Sequence, residues 1–188
     1  VATCENLQEI YAPKVEANKD NLDYLKQVIS VMGMLGCKEA EAYFAASEAA
    51  HAIEPTAATA IGCGYMYYKK GDFEKCLGYF DQAIELEQDP IKKADYLYSA
   101  ATILFSQKQL SKAKQYARKA IENNGEFGKP YMLIGQMYAT SPNWSEEAAL
   151  NKCTFFAVID KMQKAKSVDP SCAEEANKLI SAYSAYTP

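Results

Sequence analysis

Histidine occurs once in the 188 residues, as His51. Any centre that needs two imidazoles, the HExxH zinc enzymes among them, is thereby excluded. Glycine and proline number only 9 and 7, too few for a chain rich in hairpins or phosphate-cradling loops. The GxGxxG, Walker A, GxSxG and EF-hand patterns are missing. No apolar run approaches the roughly 18–20 residues of a membrane span. An excess of basic residues is lacking as well: 20 Lys and Arg stand against 24 Asp and Glu, for a net charge of -4. A basic stripe for phosphates is not expected, and nucleic acid is not an expected partner. Val1 is not an initiator methionine and no charged-then-apolar segment opens the chain. The expectation is a processed mature end or a boundary chosen within a longer chain, with no signal peptide in the chain itself.

What is present is alanine in abundance, 14 tyrosines and a hydrophobic fraction of 49%. This is the composition of closely packed helices. Period-2 alternation is absent. Apolar residues recur at three and four instead, as in Ile61, Tyr65 and Tyr68, then Phe73, Leu77, Phe80 and Ile84. Gly71-Asp72 between the two runs reads as the short turn of a helix hairpin. The unit recurs. Gly64 is followed 19 residues later by Ala83, and Ala101 is followed 19 later by Ala120. A shift of 34 from Ala101 reaches Gly135. Tyr67, Leu104 and Tyr138 repeat three residues after the small ones; on the second helices Cys76 aligns with Ala113 and Phe80 with Ala117. Small residues let two helices approach, and a larger neighbour fills the gap one turn away.

On these residues the chain resembles the tetratricopeptide repeat (TPR) family. Residues 57–90 match best, with Gly64, Tyr67, Gly71, Phe80 and Ala83 at signature places. Ala60 departs from the family's large aromatic and Cys76 from its alanine. The resemblance implies an all-α superhelix, a right-handed solenoid of antiparallel helix pairs in one domain over 1–188. Its units are about 20–55, 57–90, 94–127 and 128–170, the last with an insertion near 140–153. A capping helix at 171–186 follows, with Ser171 and Glu174 as a capping box. Lys108 stands where the third unit's turn glycine would be. Residues 1–18, with Pro13, read as a short helix and an irregular lead-in. After the insertion a long helix is expected from Ser145 to Val168, with Ser145 as its N-cap. The ending from Ala165 onward also looks like a bacterial envelope subgroup of the family, which implies an extracytoplasmic setting, periplasmic or outer-membrane associated, and association with other envelope proteins.

No cysteine pair has CxxC spacing. Cys63 and Cys76 read as small buried residues. Cys4 and Cys37 flank the first helix region and form a disulfide if the compartment is oxidising; Cys153 with Cys172 is the weaker alternative. A catalytic thiol would need a base, and His51 reads as a helix-end residue facing the dipole. Glu39, Glu41, Glu85, Glu87, Glu146 and Glu147 read as solvated faces. Asn143-Trp144-Ser145 is a sequon in form only. Trp144 either staples a helix start or docks a partner. No cofactor, no metal and no catalytic residue is expected.

The family lines its concave face with the first helix of each unit. The corresponding positions are Ile61, Tyr65, Tyr68 and Lys69, then Asp95, Tyr98, Thr102 and Phe105, then Lys129, Met132 and Gln136. The Lys and Asn clamp of chaperone-binding members is absent, since Ile61, Tyr65, Asp95 and Ser99 hold its places. The expected function is a non-catalytic scaffold that binds a protein or peptide in an aromatic-lined groove. The alternatives are a glycan-binding envelope module, with exposed tyrosines and Trp144 as sugar platforms, and, as a small residual, an enzyme built on a carboxylate pair.

Overall fold

The computed structural model describes residues 3–141, 143 and 145–188. Among these residues every regular element is helical. Contacts gather the chain into two compact units, Val1–Gln88 and Asp89–Pro188.

The first unit contains α1 (Cys4–Ala17), α2 (Leu22–Met34), α3 (Glu41–Ile53), α4 (Ala57–Lys69) and α5 (Phe73–Leu86). Helix α1 is longer than expected and runs through Pro13. Polar side chains set the helix starts. Asn21 accepts from the Tyr24 N–H, Asp72 accepts from the Lys75 N–H, and Thr56 and Thr59 cap each other's backbone reciprocally at the head of α4. Leu25, Val28, Met32, Tyr43, Phe44 and Met66 form the core of this unit. Cys4 and Cys37 are disulfide-bonded, tying the start of α1 to the turn between α2 and α3.

The second unit contains α6 (Pro90–Ser106), α7 (Leu110–Asn123), α8 (Gly128–Ala139), α9 (Ala148–Val168) and α10 (Ala173–Ser184), with a short 3-10 turn at Pro170–Cys172. Asp89 caps α6, whose first residue is Pro90, where a missing N–H costs nothing. Alanines Ala113, Ala117 and Ala120 are the buried residues of α7. Met132, Val158, Met162, Ala165, Cys172 and Ala176 make a second core.

Three hairpin turns repeat one geometry. The N–H of Cys37 bonds the Met32 carbonyl (2.8 Å), that of Asp72 the Tyr67 carbonyl (3.0 Å), and that of Gln109 the Leu104 carbonyl (2.9 Å). Each closes a six-residue helix end that requires a left-handed residue just before the donor. Those residues are Gly36 (φ 74), Gly71 (φ 76) and Lys108 (φ 58). The lysine therefore adopts the glycine conformation rather than changing the turn.

Two helix starts differ from expectation. Helix α9 begins at Ala148, not Ser145. The Asn151 side chain holds Ser145 instead, accepting from its N–H and donating to its carbonyl, both at 2.8 Å. Helix α10 begins at Ala173, because Asp169 takes the Ser171 N–H and hydroxyl. Glu174, expected in a capping box, pairs with Lys178 at 2.7 Å.

Candidate functional site

The expected groove residues fall in both units. In the first, Tyr65 meets Phe80 edge-on at 5.3 Å and Tyr68 meets Phe73 at 5.8 Å, so each rests on its own hairpin while staying exposed. Lys69 is engaged. Its ammonium donates to the Glu39 carbonyl (3.0 Å), lies 3.6 Å from the Glu41 carboxylate and sits over the Phe44 ring. A cavity of about 450 Å³ opens beside the disulfide, lined by Cys4, Glu5, Gln8, Cys37, Glu41 and Lys69 among others. Its polar groups are partly committed, since Gln8 accepts from the Ala42 N–H at 2.7 Å.

In the second unit, four expected residues converge. Tyr98 of α6, Lys129, Met132 and Gln136 of α8, together with Leu133 and Glu175, line a cavity of about 200 Å³. The heptad-like spacing of α8 explains the set: Lys129, Met132, Leu133 and Gln136 share one face at helical three- and four-residue steps. Met132 is only 4% exposed and packs with Val158, Met162 and Ala165. It reaches the cavity as part of the floor. Tyr98 is held edge-on by Phe127, with ring centroids 5.1 Å apart. Asp95 lies one turn before Tyr98. Desolvation raises its carboxyl above the usual value and Asp89 adds to this, while Lys129 pulls it back down.

Thr102 turns its hydroxyl onto the Tyr98 carbonyl (3.0 Å), which leaves little for a ligand. Phe105 lines a separate cavity of about 400 Å³ with Leu110 and Thr140. Glu175 was not foreseen as a site residue. It reads as part of a polar outer face, yet α10 brings it to the cavity. The available signal was its place in the first turn of a helix that follows a second helix, the position of a first helix in each earlier unit.

A larger cavity of about 590 Å³ lies beside α7, α8 and α9, lined by Leu110, Lys114, Met137, Tyr138, Cys153 and Ala157 among others. Its cation already sits over an aromatic ring, Lys114 above Tyr138 at 4.8 Å. Cys153 is exposed and free, and Cys172 is buried. His51 is held on both ring nitrogens, by the Thr59 hydroxyl at 2.9 Å and the Gln82 amide oxygen at 3.1 Å. Burial pushes the Cys63 thiol up to about 12 and the Cys76 thiol up to about 11, so neither is a nucleophile at neutral pH. Among the described residues no group of three His, Cys, Asp or Glu could hold a metal, and no helix is long and apolar enough to cross a membrane. Trp144 lies outside the described residues.

A solved structure of MamA superimposes with a TM-score of 0.64 over 86% of this chain and 80% of that one, at 17% identity. A solved structure of YrrB, described as "a TPR protein with an unusual peptide-binding site", superimposes with a TM-score of 0.52 over 91% of this chain and 99% of that one, also at 17% identity. The chain has the tetratricopeptide-repeat fold. Stress-induced-phosphoprotein 1 of Caenorhabditis elegans is 31% identical over 80 residues, 43% of this chain. The match spans about a quarter of that protein's length, 24%. No protein-family model matches the chain.

Proposed function

We propose that the protein is a non-catalytic interaction module that binds an extended or helical peptide along the face formed by α6, α8 and α10. One observation carries this reading. Tyr98, Lys129, Gln136 and Glu175 line one cavity together with the nearly buried Met132 and Leu133. Such a mix of fixed aromatic surface, apolar floor and polar side chains suits peptide recognition. The likeness to YrrB, whose description names a peptide-binding site, supports the same class of ligand. The Cys4–Cys37 bond supports an oxidising, extracytoplasmic setting, since cytosolic thiols are kept reduced.

Selection of a displayed random-peptide library on the full chain tests the reading. Selected peptides should lose most of their affinity for Tyr98→Ala and Gln136→Ala while circular dichroism shows intact helicity. A library that yields no binder, or binders indifferent to both substitutions, overturns it.

A further inference from the structure

We infer that the cavity beside α7, α8 and α9 is a binding site for a small amphipathic carboxylate, an apolar chain or ring that carries one negative charge. It shares no lining residue with the cavity at Tyr98. At about 590 Å³ it falls within the roughly 300–1,000 Å³ of small-molecule sites. Its walls set the body of the ligand. Leu110, Ala157 and the Tyr138 ring line it, and Met137, only 4% exposed, ties that surface to the core. Such walls favour an apolar body over water.

Charge sets the head group. Among the described lining residues Lys114 alone is charged. The acidic residues of α9 and its lead-in, Glu146, Glu147 and Asp160, do not line the cavity, and Asp160 is paired with Lys161 at 3.6 Å. Among the described residues Lys114 lies in no ion pair. It is held over the Tyr138 ring, 4.8 Å from the centroid. A ring covers one side of an ammonium and does not use up its three N–H donors. The rest of α7 has the same sign: Lys112, Lys114, Arg118 and Lys119 stand against Glu122 alone. No side chain caps the start of α7, and its first two residues, Leu110 and Ser111, line the cavity, so the partial positive charge of that helix end adds to the ammonium. A carboxylate therefore meets attraction from a side chain and from a helix end, with no like charge on the described walls. An ammonium meets the reverse.

Cys153, also in the lining, supplies a local reporter. It is exposed, whereas the other free thiols, Cys63, Cys76 and Cys172, are buried, so iodoacetamide modifies Cys153 first in the folded chain. Decanoate, kept below its micelle concentration, should slow that reaction several-fold. Decylamine, of equal chain length and opposite charge, should not. Lys114→Met keeps the stem and removes the charge. It should raise the decanoate concentration needed for protection about ten-fold or more, the loss expected of one charge-assisted contact. Lys112→Met, on the same helix but outside the lining, should leave that concentration unchanged. Each variant is compared with its own unliganded rate, and circular dichroism checks its helicity; should Lys114→Met lose helicity, the contrast between decanoate and decylamine on the wild-type chain decides alone. No protection by decanoate, equal protection by decylamine, or undiminished protection in a folded Lys114→Met each overturns the carboxylate site. None of these results touches the peptide reading, which stands or falls with Tyr98 and Gln136.

Discussion

In the α4–α5 hairpin Gly64 faces Phe80; in the α6–α7 hairpin the equivalent positions, at the same spacing of 16 residues, hold Ala101 and Ala117. All four are buried. A Cβ built on Gly64 would lie 2.9 Å from Cδ2 of Phe80, so the ring fills the space that the glycine leaves. In α6–α7 both equivalent positions are alanines, each fully buried. The third hairpin, α8–α9, returns to the first solution with a softer partner: a Cβ on Gly135 would lie 2.8 Å from the terminal methyl of Met162. Where the first helix carries glycine, a large side chain of the second helix takes the space its Cβ would occupy; where the first carries Ala101, the second carries the small Ala117.

The comparison breaks most sharply at Phe80. Phe80→Ala should cost about 3–5 kcal/mol in urea denaturation, since Gly64 offers no volume to refill the cavity. A loss near 1 kcal/mol would mean that the two helices close up into the α6–α7 arrangement unaided. Gly64→Ala comes next, at about 1–3 kcal/mol, because Phe80 is fully buried and cannot move aside. The Gly64→Ala/Phe80→Leu double variant should recover part of that loss, and strict additivity would deny that these two residues share one space.

The turns allow a smaller test of opposite sign. Lys108→Gly should raise stability by about 0.5–1 kcal/mol, the relief of a left-handed lysine less the extra freedom of glycine in the unfolded chain. Gly71→Ala should lower it by about 1 kcal/mol. If both substitutions are neutral, the left-handed positions store no strain. The smallest effect is a dependence on pH. The Ser171 hydroxyl, with the Gly128 N–H, the Cys172 thiol and the Ser171 N–H, holds the Asp169 carboxyl below its usual value. The folded state therefore gains stability from Asp169 above the unfolded carboxyl value of about 3.9, and loses it as pH falls through the lower folded value. Thermal denaturation of Asp169→Asn should show a shallower decline over that acid range than the wild type.

Periodicity located the hairpins because a helix pair can bury only one stripe per helix, and small residues mark where backbones touch. Gly64, Phe80 and the turns at Gly71 and Lys108 were readable for this reason, while the turn at Gly36 was not foreseen. The starts of α9 and α10 were not, because several side chains compete for the same orphan N–H groups. Ser145 and Ser171 are good caps by type, but Asn151 and Asp169 reach the relevant backbone first. Met132 lines the cavity and also packs in the core, a double placement that helical spacing alone does not specify. Glu175 escaped notice because its signal lies in the register of α10 within the repeat order, not in the local pattern of residues 171–186.

The bond between Cys4 and Cys37, 33 residues apart, has a mechanical consequence. A pull on the chain ahead of Cys4 enters the sulfur bridge and emerges at Cys37, so α1 and α2 carry none of the load. While the bridge is closed their contour is hidden from the pull, and cutting it releases up to about 110 Å of extensible chain. An upstream tether would thus grip the protein at the head of α3, with two helices hanging outside the line of force.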